Sequence, residues 1–254
     1  VIILSMSVRA QQQQYFDNID TKGYTVFCAY KDDHGIMWLG TSNGLTTYSQ
    51  LTSKRPFSYL RKNELSNIIV DIEQDELGRL WLMTQANKYM VYNPCDNSLI
   101  PDVEKYLKDN GINVFYDFRL KTDSRRRLWV HKDNRLYMHD FRTHKTILFT
   151  LPKQAGRIIG IETNSKEVIA VTENSIYMVD MGTLKLRFFA KTPQKIPDQY
   201  LYMYHNQHGD LWLGTYDLMF RYDLAQRKWH QYEDEKSDIR KFEPLPGDHL
   251  YVGT

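Results

Sequence analysis

The stretch Asp32 to Tyr48, DDHGIMWLGTSNGLTTY, restricts the possible folds more than any other part of the sequence. Asp33-His34-Gly35 is a turn signal, Met37 to Thr41 a short apolar strand, Asn43-Gly44 a hairpin turn, and Leu45 to Tyr48 the returning strand. Asn-Gly suits such a turn because both central residues of a type I′ hairpin need positive φ, which glycine adopts without steric cost. Alternation puts Trp38 and Gly40 on one face of the strand and Met37, Leu39 and Thr41 on the other. A lone hairpin is marginal in water. This one must belong to something larger.

It recurs along the chain. Asp75 to Tyr92, Asp123 to Asp140, Asn164 to Asp180, Asn206 to Asp223 and Pro246 to Thr254 repeat the pattern. Each copy carries one anchor: Trp38, Trp81, Trp129, Ile169, Trp212 and Tyr251, at spacings of 43, 48, 40, 43 and 39 residues. Periods of about 40–50 residues with several strands per period are the signature of β-propeller blades. An apolar strand precedes each turn: Thr25–Tyr30, Ile68–Glu73, Val114–Leu120, Arg157–Glu162 and Leu201–His205. A fourth strand follows in Phe57–Leu60, Thr146–Leu151, Leu186–Ala190 and Trp229–Tyr232. In the second copy only Ser98–Ile100 serves, and Val103–Asn110 reads as a short helical turn.

The expected fold is therefore all-β, a propeller of four-stranded blades at about 24–60, 67–100, 113–151, 157–190 and 200–232, with part of a sixth at 239–254. The Trp anchors and Ile169 should be buried between neighbouring blades. An incomplete ring spanning 15–254 would expose strand edges at Tyr15–Asp20 and Leu250–Thr254 and promote association.

Composition removes several functions. The 33 Lys and Arg against 31 Asp and Glu leave a formal charge of +2, so neither nucleic acid nor an anionic membrane is implied as partner. Aromatic residues at 13 % favour strands. No run reaches the 18–20 or so apolar residues of a membrane helix. Val1 to Ala10 is an apolar run closing on Val8-Arg9-Ala10, and reads as a signal-peptide remnant over residues 1–10, pointing to export. With only Cys28 and Cys95, no disulfide framework holds the fold, and Cys28 reads as a small buried residue.

Catalytic and metal chemistry find no constellation. His205, His208, His230 and His249 lack further ligands at metal-site spacing, and His131, His139 and His144 read as polar strand-face residues. Asp33, Asp75, Asp123 and Asp210 supply one carboxylate per turn, far short of calcium's six to eight oxygens, and read as Asx-turn caps. Arg125-Arg126-Arg127 reads as a solvated turn, and no phosphate loop or nucleophile elbow is present. No cofactor, metal or catalytic residue is expected.

The pattern D-x-x-G-x-[IL]-W-[IL]-G-T-x-x-G-L-x-x-[YF], close at Asp32–Tyr48 and partial at Asn206–Tyr222, resembles the two-component regulator propeller repeat. That family builds the periplasmic sensor region of hybrid two-component histidine kinases, known from gut Bacteroidetes that regulate glycan use. The resemblance implies seven blades in the complete ring and an inner-membrane protein with a histidine kinase beyond this chain. It also implies a homodimer. The fragment itself would be no enzyme.

A ligand would meet the hairpin turns on one face of the propeller. Those turns supply Asn43, Gln85, Asn87, Lys132, Asp133, Asn174, Tyr216 and Asp217, and inter-blade loops add Asn63, Asn67, Asn113, Gln199 and Tyr200. Asn43, Gln85, Lys132, Asp133, Tyr216 and Asp217 are the candidate ligand-binding residues. Amides, carboxylates and rings suit an oligosaccharide, because sugars need planar hydrogen bonding and stacking. A propeller enzyme (lyase or glycosidase) or an interaction scaffold are the alternatives, since fold does not fix function.

Overall fold

The computed structural model describes residues 24–48, 68–100, 102–193, 202–205, 210–215, 218–233, 241–245 and 249–253. The readings for residues 1–10, Tyr15–Asp20, Phe57–Leu60, Asn63, Asn67, Gln199, Tyr200, Tyr216 and Asp217 fall outside them. Packing divides the chain into two compact units, one comprising Gln14–Val130 with Tyr137–Leu148, the other including His131–Leu136 and Phe149–Thr254.

Strands follow the repeat. In the first sheet β1 (Val26–Lys31), β2 (Met37–Thr41) and β3 (Gly44–Thr47) are hydrogen-bonded in that order. The second holds β4 (Ile69–Gln74), β5 (Leu80–Thr84), β6 (Tyr89–Asn93) and β7 (Ser98–Ile100), each beside the next. The third holds β8 (Arg119–Thr122), β9 (Leu128–Lys132), β10 (Arg135–Asp140) and β11 (Lys145–Thr150). The fourth comprises β12 (Ile158–Thr163), β13 (Glu167–Thr172), β14 (Ser175–Asp180) and β15 (Leu186–Lys191). The fifth comprises β16 (Tyr202–His205), β17 (Leu211–Gly214), β18 (Leu218–Asp223) and β19 (Lys228–Glu233). A last pair, β20 (Lys241–Leu245) and β21 (His249–Gly253), is antiparallel.

Two details of the first repeat correct the sequence reading. Thr41 pairs with Gly44, so Ser42-Asn43 forms the loop, and Gly44 alone there has positive φ, at 103°. The loop does not need two left-handed residues because glycine at the start of β3 absorbs the twist. Gly40 has another role. A Cβ there would fall 2.7 Å from the Ile69 carbonyl oxygen and 2.5 Å from Cys28 Sγ, so only glycine lets β4 approach this closely.

The expected strand at Val114–Leu120 is shorter than read. Pairing begins at Arg119, because Tyr116 and Asp117 take positive φ (45° and 46°), which no strand accommodates. The short helix α1 (Val103–Asp109) is present; Asp102 Oδ1 caps it by accepting from Lys105 N at 3.0 Å, and Val103 and Leu107 are buried. No described helix is long and apolar enough to cross a membrane.

Burial follows the anchors. Trp81, Trp129 and Ile169 are 0 % exposed and Trp38 is 7 %, whereas Trp212 is half-buried, less than expected. In the unit that holds them, Trp81, Val91, Leu107, Leu128, Val130 and Phe141 share one core. Ile169, Val171, Met178, Leu213 and Phe220 share another within the second unit.

Candidate functional site

The repeat's turns are built on a buried carboxylate. Asp75 Oδ1 accepts from the backbone N–H groups of Leu77 and Arg79, both at 3.0 Å, and Oδ2 accepts from Trp81 Nε1 at 2.9 Å. Asp123 does the same for Arg125, Arg127 and Trp129. In the first repeat the role falls to Asp32, bonded to His34, Ile36 and Trp38, and not to Asp33. Asp33 lies one residue too late to reach the indole; it is exposed and pairs with Arg126. In the fourth repeat Asn164 Oδ1 caps the turn through Lys166 N and Glu167 N, and Ile169 replaces the indole. Asp210 has a different task, binding Arg221 Nη2 at 2.8 Å. Arg127 is also no solvated residue: it is buried, with Nε 2.8 Å from Asp123 Oδ2. The carboxylates of Asp32, Asp75 and Asp123 thus hold the turns.

Threonines close the opposite hairpins. Thr41, Thr84, Thr172 and Thr215, three residues after their anchors, donate across the loop to the carbonyls of Gly44, Lys88, Ser175 and Leu218. Lys132 stands at this position in the third repeat, half-buried, and Asp133 behind it is exposed with φ 53°. Asp133's carbonyl accepts from Ile158 N at 2.7 Å, so its backbone ties the turn to β12. Asn43 is half-buried with its N–H on Thr41 Oγ1, and Gln85 is exposed with its N–H on the Ile68 carbonyl. The structure therefore puts Asn43 and Gln85 on turns of one compact unit and Lys132 and Asp133 on a turn of the other.

Sequence reasoning missed a polar group on the first strands. Within one unit β4 lies against both β1 and β8. Glu73 on β4 reaches β8: Thr122 Oγ1 donates to Glu73 Oε2 at 2.6 Å, Thr122 N at 3.2 Å, and Lys121 Nζ stands 4.0 Å from Oε1. Burial still pushes the Glu73 carboxyl up to about 7, against the pull of Lys121. Asp71, two residues earlier, is raised for the same reason. Cys28 on β1 is half-buried, and burial followed by the Asp71 charge pushes its thiol up to about 12, so it stays protonated and unreactive. The signal available beforehand was two acids at alternate positions of an otherwise apolar strand. Among the described residues no cluster of His, Cys, Asp and Glu could hold a metal ion. His131 and His139 are buried, and His144 sits exposed in a turn at φ 53°.

Residues 22–43, a stretch that includes β1, β2 and the turn between them, match the family described as two component regulator propeller. That stretch is similar to a two-component regulator propeller repeat. Solved structures agree at the level of fold. The extracellular domain assigned to the hybrid two component system BT3049 of B. thetaiotaomicron superposes with a TM-score of 0.60 at 16 % identity, over 90 % of this chain and 32 % of that one. The extracellular domain of BT4673 from the same organism, described as a one component system in one structure and a hybrid two component system in another, gives 0.64 at 20 % identity, over 94 % of this chain and 32 % of that one. A chain of the mitotic checkpoint complex gives 0.53 at 9 % identity over 100 % of this chain and 68 % of that one. No curated protein matches the sequence. This chain thus spans about a third of the length of the bacterial domains it resembles. The fold is an all-β propeller of four-stranded blades, the second to fifth sheets above each showing all four strands; such different neighbours share it that it names no ligand.

Proposed function

We propose that this chain is the ligand-sensing, periplasmic part of a hybrid two-component histidine kinase that answers to a glycan-derived oligosaccharide. The two-component regulator propeller match at residues 22–43 carries this reading. The likeness to extracellular domains of B. thetaiotaomicron systems supports it, and the near-neutral charge suits an uncharged ligand. The hairpin-turn residues Asn43, Gln85, Lys132, Asp133, Tyr216 and Asp217 are the proposed contacts. The signalling logic is thermodynamic. A saccharide that binds one arrangement of a homodimer better than another shifts that equilibrium by its differential affinity, and an inner-membrane anchor passes the shift to a kinase. Catalysis is no part of this fragment's role.

The test pairs a cell carrying the full-length protein and a transcriptional reporter with binding titrations on this chain. One class of saccharide should both raise reporter output and bind the chain. A reporter that responds to a saccharide the chain does not bind would assign sensing to another part of the protein. Silence toward every saccharide would overturn the reading.

A further inference from the structure

Between α1 and β8 the chain leaves its core for three residues. Val114 and Phe118 are buried on either side, and Phe118 stacks on Tyr89 with ring centroids 5.1 Å apart. Between these anchors Phe115 is 50 % exposed and Tyr116 76 %, the most exposed large hydrophobic side chain among the described residues. Tyr116 and Asp117 both hold left-handed backbone, which a residue with a Cβ adopts only at a steric cost. Glu104 of α1 locks the segment, its Oε1 accepting from Tyr116 N at 3.1 Å. Asp117 then lies 3.5 Å from Arg119 Nη1, and Arg119 Nη2 donates to the amide oxygen of Asn87, on the second blade's hairpin turn, at 3.3 Å. Asn87 too has positive φ, at 56°.

A bulky ring in water on a left-handed backbone is the opposite of what stability alone selects, since glycine or asparagine would hold this turn more cheaply. The supporting contacts nevertheless fix it there. We propose that Tyr116, with Asn87, Asp117 and Arg119, is a stacking platform for one sugar ring of a neutral oligosaccharide. The ring offers a flat apolar face, and the linked amide, carboxylate and guanidinium offer hydrogen-bonding groups to hydroxyls beside it. A neutral sugar fits better than an acidic one because Arg119 is already shared between Asp117 and Asn87. The proposal rests on the saccharide-sensing reading above and assigns it to a loop rather than to the hairpin turns alone.

The experiment titrates the full chain with short neutral cello-, xylo-, manno- and galacto-oligosaccharides. Tyr116→Asn keeps a residue that tolerates the left-handed backbone but removes the ring; it should weaken binding about tenfold, the loss of one stacking contact. Tyr116→Phe should bind within about twofold of the parent, and Asn87→Gly, which keeps the positive φ, should also weaken binding. Unchanged circular dichroism and a urea midpoint no lower than the parent's in Tyr116→Asn show that the loss is local. A chain that binds a saccharide equally well as Tyr116→Asn and Asn87→Gly overturns the platform and leaves the sensing reading standing. A parent chain that binds none of these sugars overturns the platform, and a reporter silent toward every saccharide overturns the reading with it.

Discussion

Asp75 and Trp81 show how single side chains organise a blade. The carboxylate gathers two backbone N–H groups and an indole N–H and also pairs with the Arg79 guanidinium, so separating turn from strand strips a buried carboxylate of three hydrogen bonds. Trp81 also packs beside Phe141 and Tyr106, with centroids 6.0 and 6.2 Å away. Trp81→Ala is therefore expected to cost about 3–5 kcal/mol in urea denaturation, and the half-buried Trp212→Ala clearly less. Equal losses at both positions would show that burial is not what these anchors supply. A second expectation concerns Glu73. Its carboxyl, raised by burial from 4.5 to about 7, is more easily protonated folded than unfolded. The folded state thus gains from protonation below about pH 4.5 and loses that gain as pH rises through about 7. Glu73→Gln keeps an acceptor for Thr122 and cannot ionise. Its stability relative to the parent should climb between about pH 4.5 and 7 and then level off. A difference that stays flat over this window would mean that Glu73 ionises as it does in water.

At the scale of the element, the threonine three residues after the anchor in four of the repeats decides how the hairpin closes. The buried Thr172 Oγ1 shares its one hydrogen between the carbonyls of Ser175 and Ala155, both at 2.7 Å, and accepts from Ser175 N at 3.0 Å. Thr172→Val keeps the shape and removes every one of these bonds, so about 1–3 kcal/mol should be lost, while Thr172→Ser should lose less. A parent-like midpoint for Thr172→Val with a lower one for Thr172→Ser would mean that the methyl group, not the hydroxyl, matters. This element was legible in the sequence as W-x-x-T with a turn signal beside it, because the spacing follows directly from strand geometry. The inter-blade segment at 113–118 was not. Val114-Phe115-Tyr116 looks like a strand, since the β-forming character of aromatic residues is all that a single sequence displays. Nothing in it announces two left-handed residues locked by a glutamate twelve positions earlier. The acids of β4 were equally hard to read, because their meaning depends on Lys121 and Thr122 of another blade.

For the whole molecule, blade rhythm was the legible quantity and ligand identity the illegible one. Hairpins recurring at nearly constant spacing give sheets whose neighbouring strands are consecutive in sequence, four to a sheet in the second to fifth repeats. The same sheets serve bacterial extracellular domains and a chain of the mitotic checkpoint complex, so chemistry has to reside in loops and turns. That division yields a measurement on the intact chain. A ligand that binds only the folded state adds stability of about 2.7 kcal/mol at a concentration 100 times its Kd. For a chain of this size each kcal/mol moves the melting temperature by about 2–4 °C. A cognate saccharide at that excess should therefore raise Tm by about 5–10 °C, and one that merely crowds the solution should move it far less. The shift should grow with the logarithm of saccharide concentration, as linkage requires, and shrink in Tyr116→Asn at the same concentration. A Tm that rises equally with every sugar tested would point to solvent exclusion and count against a specific site.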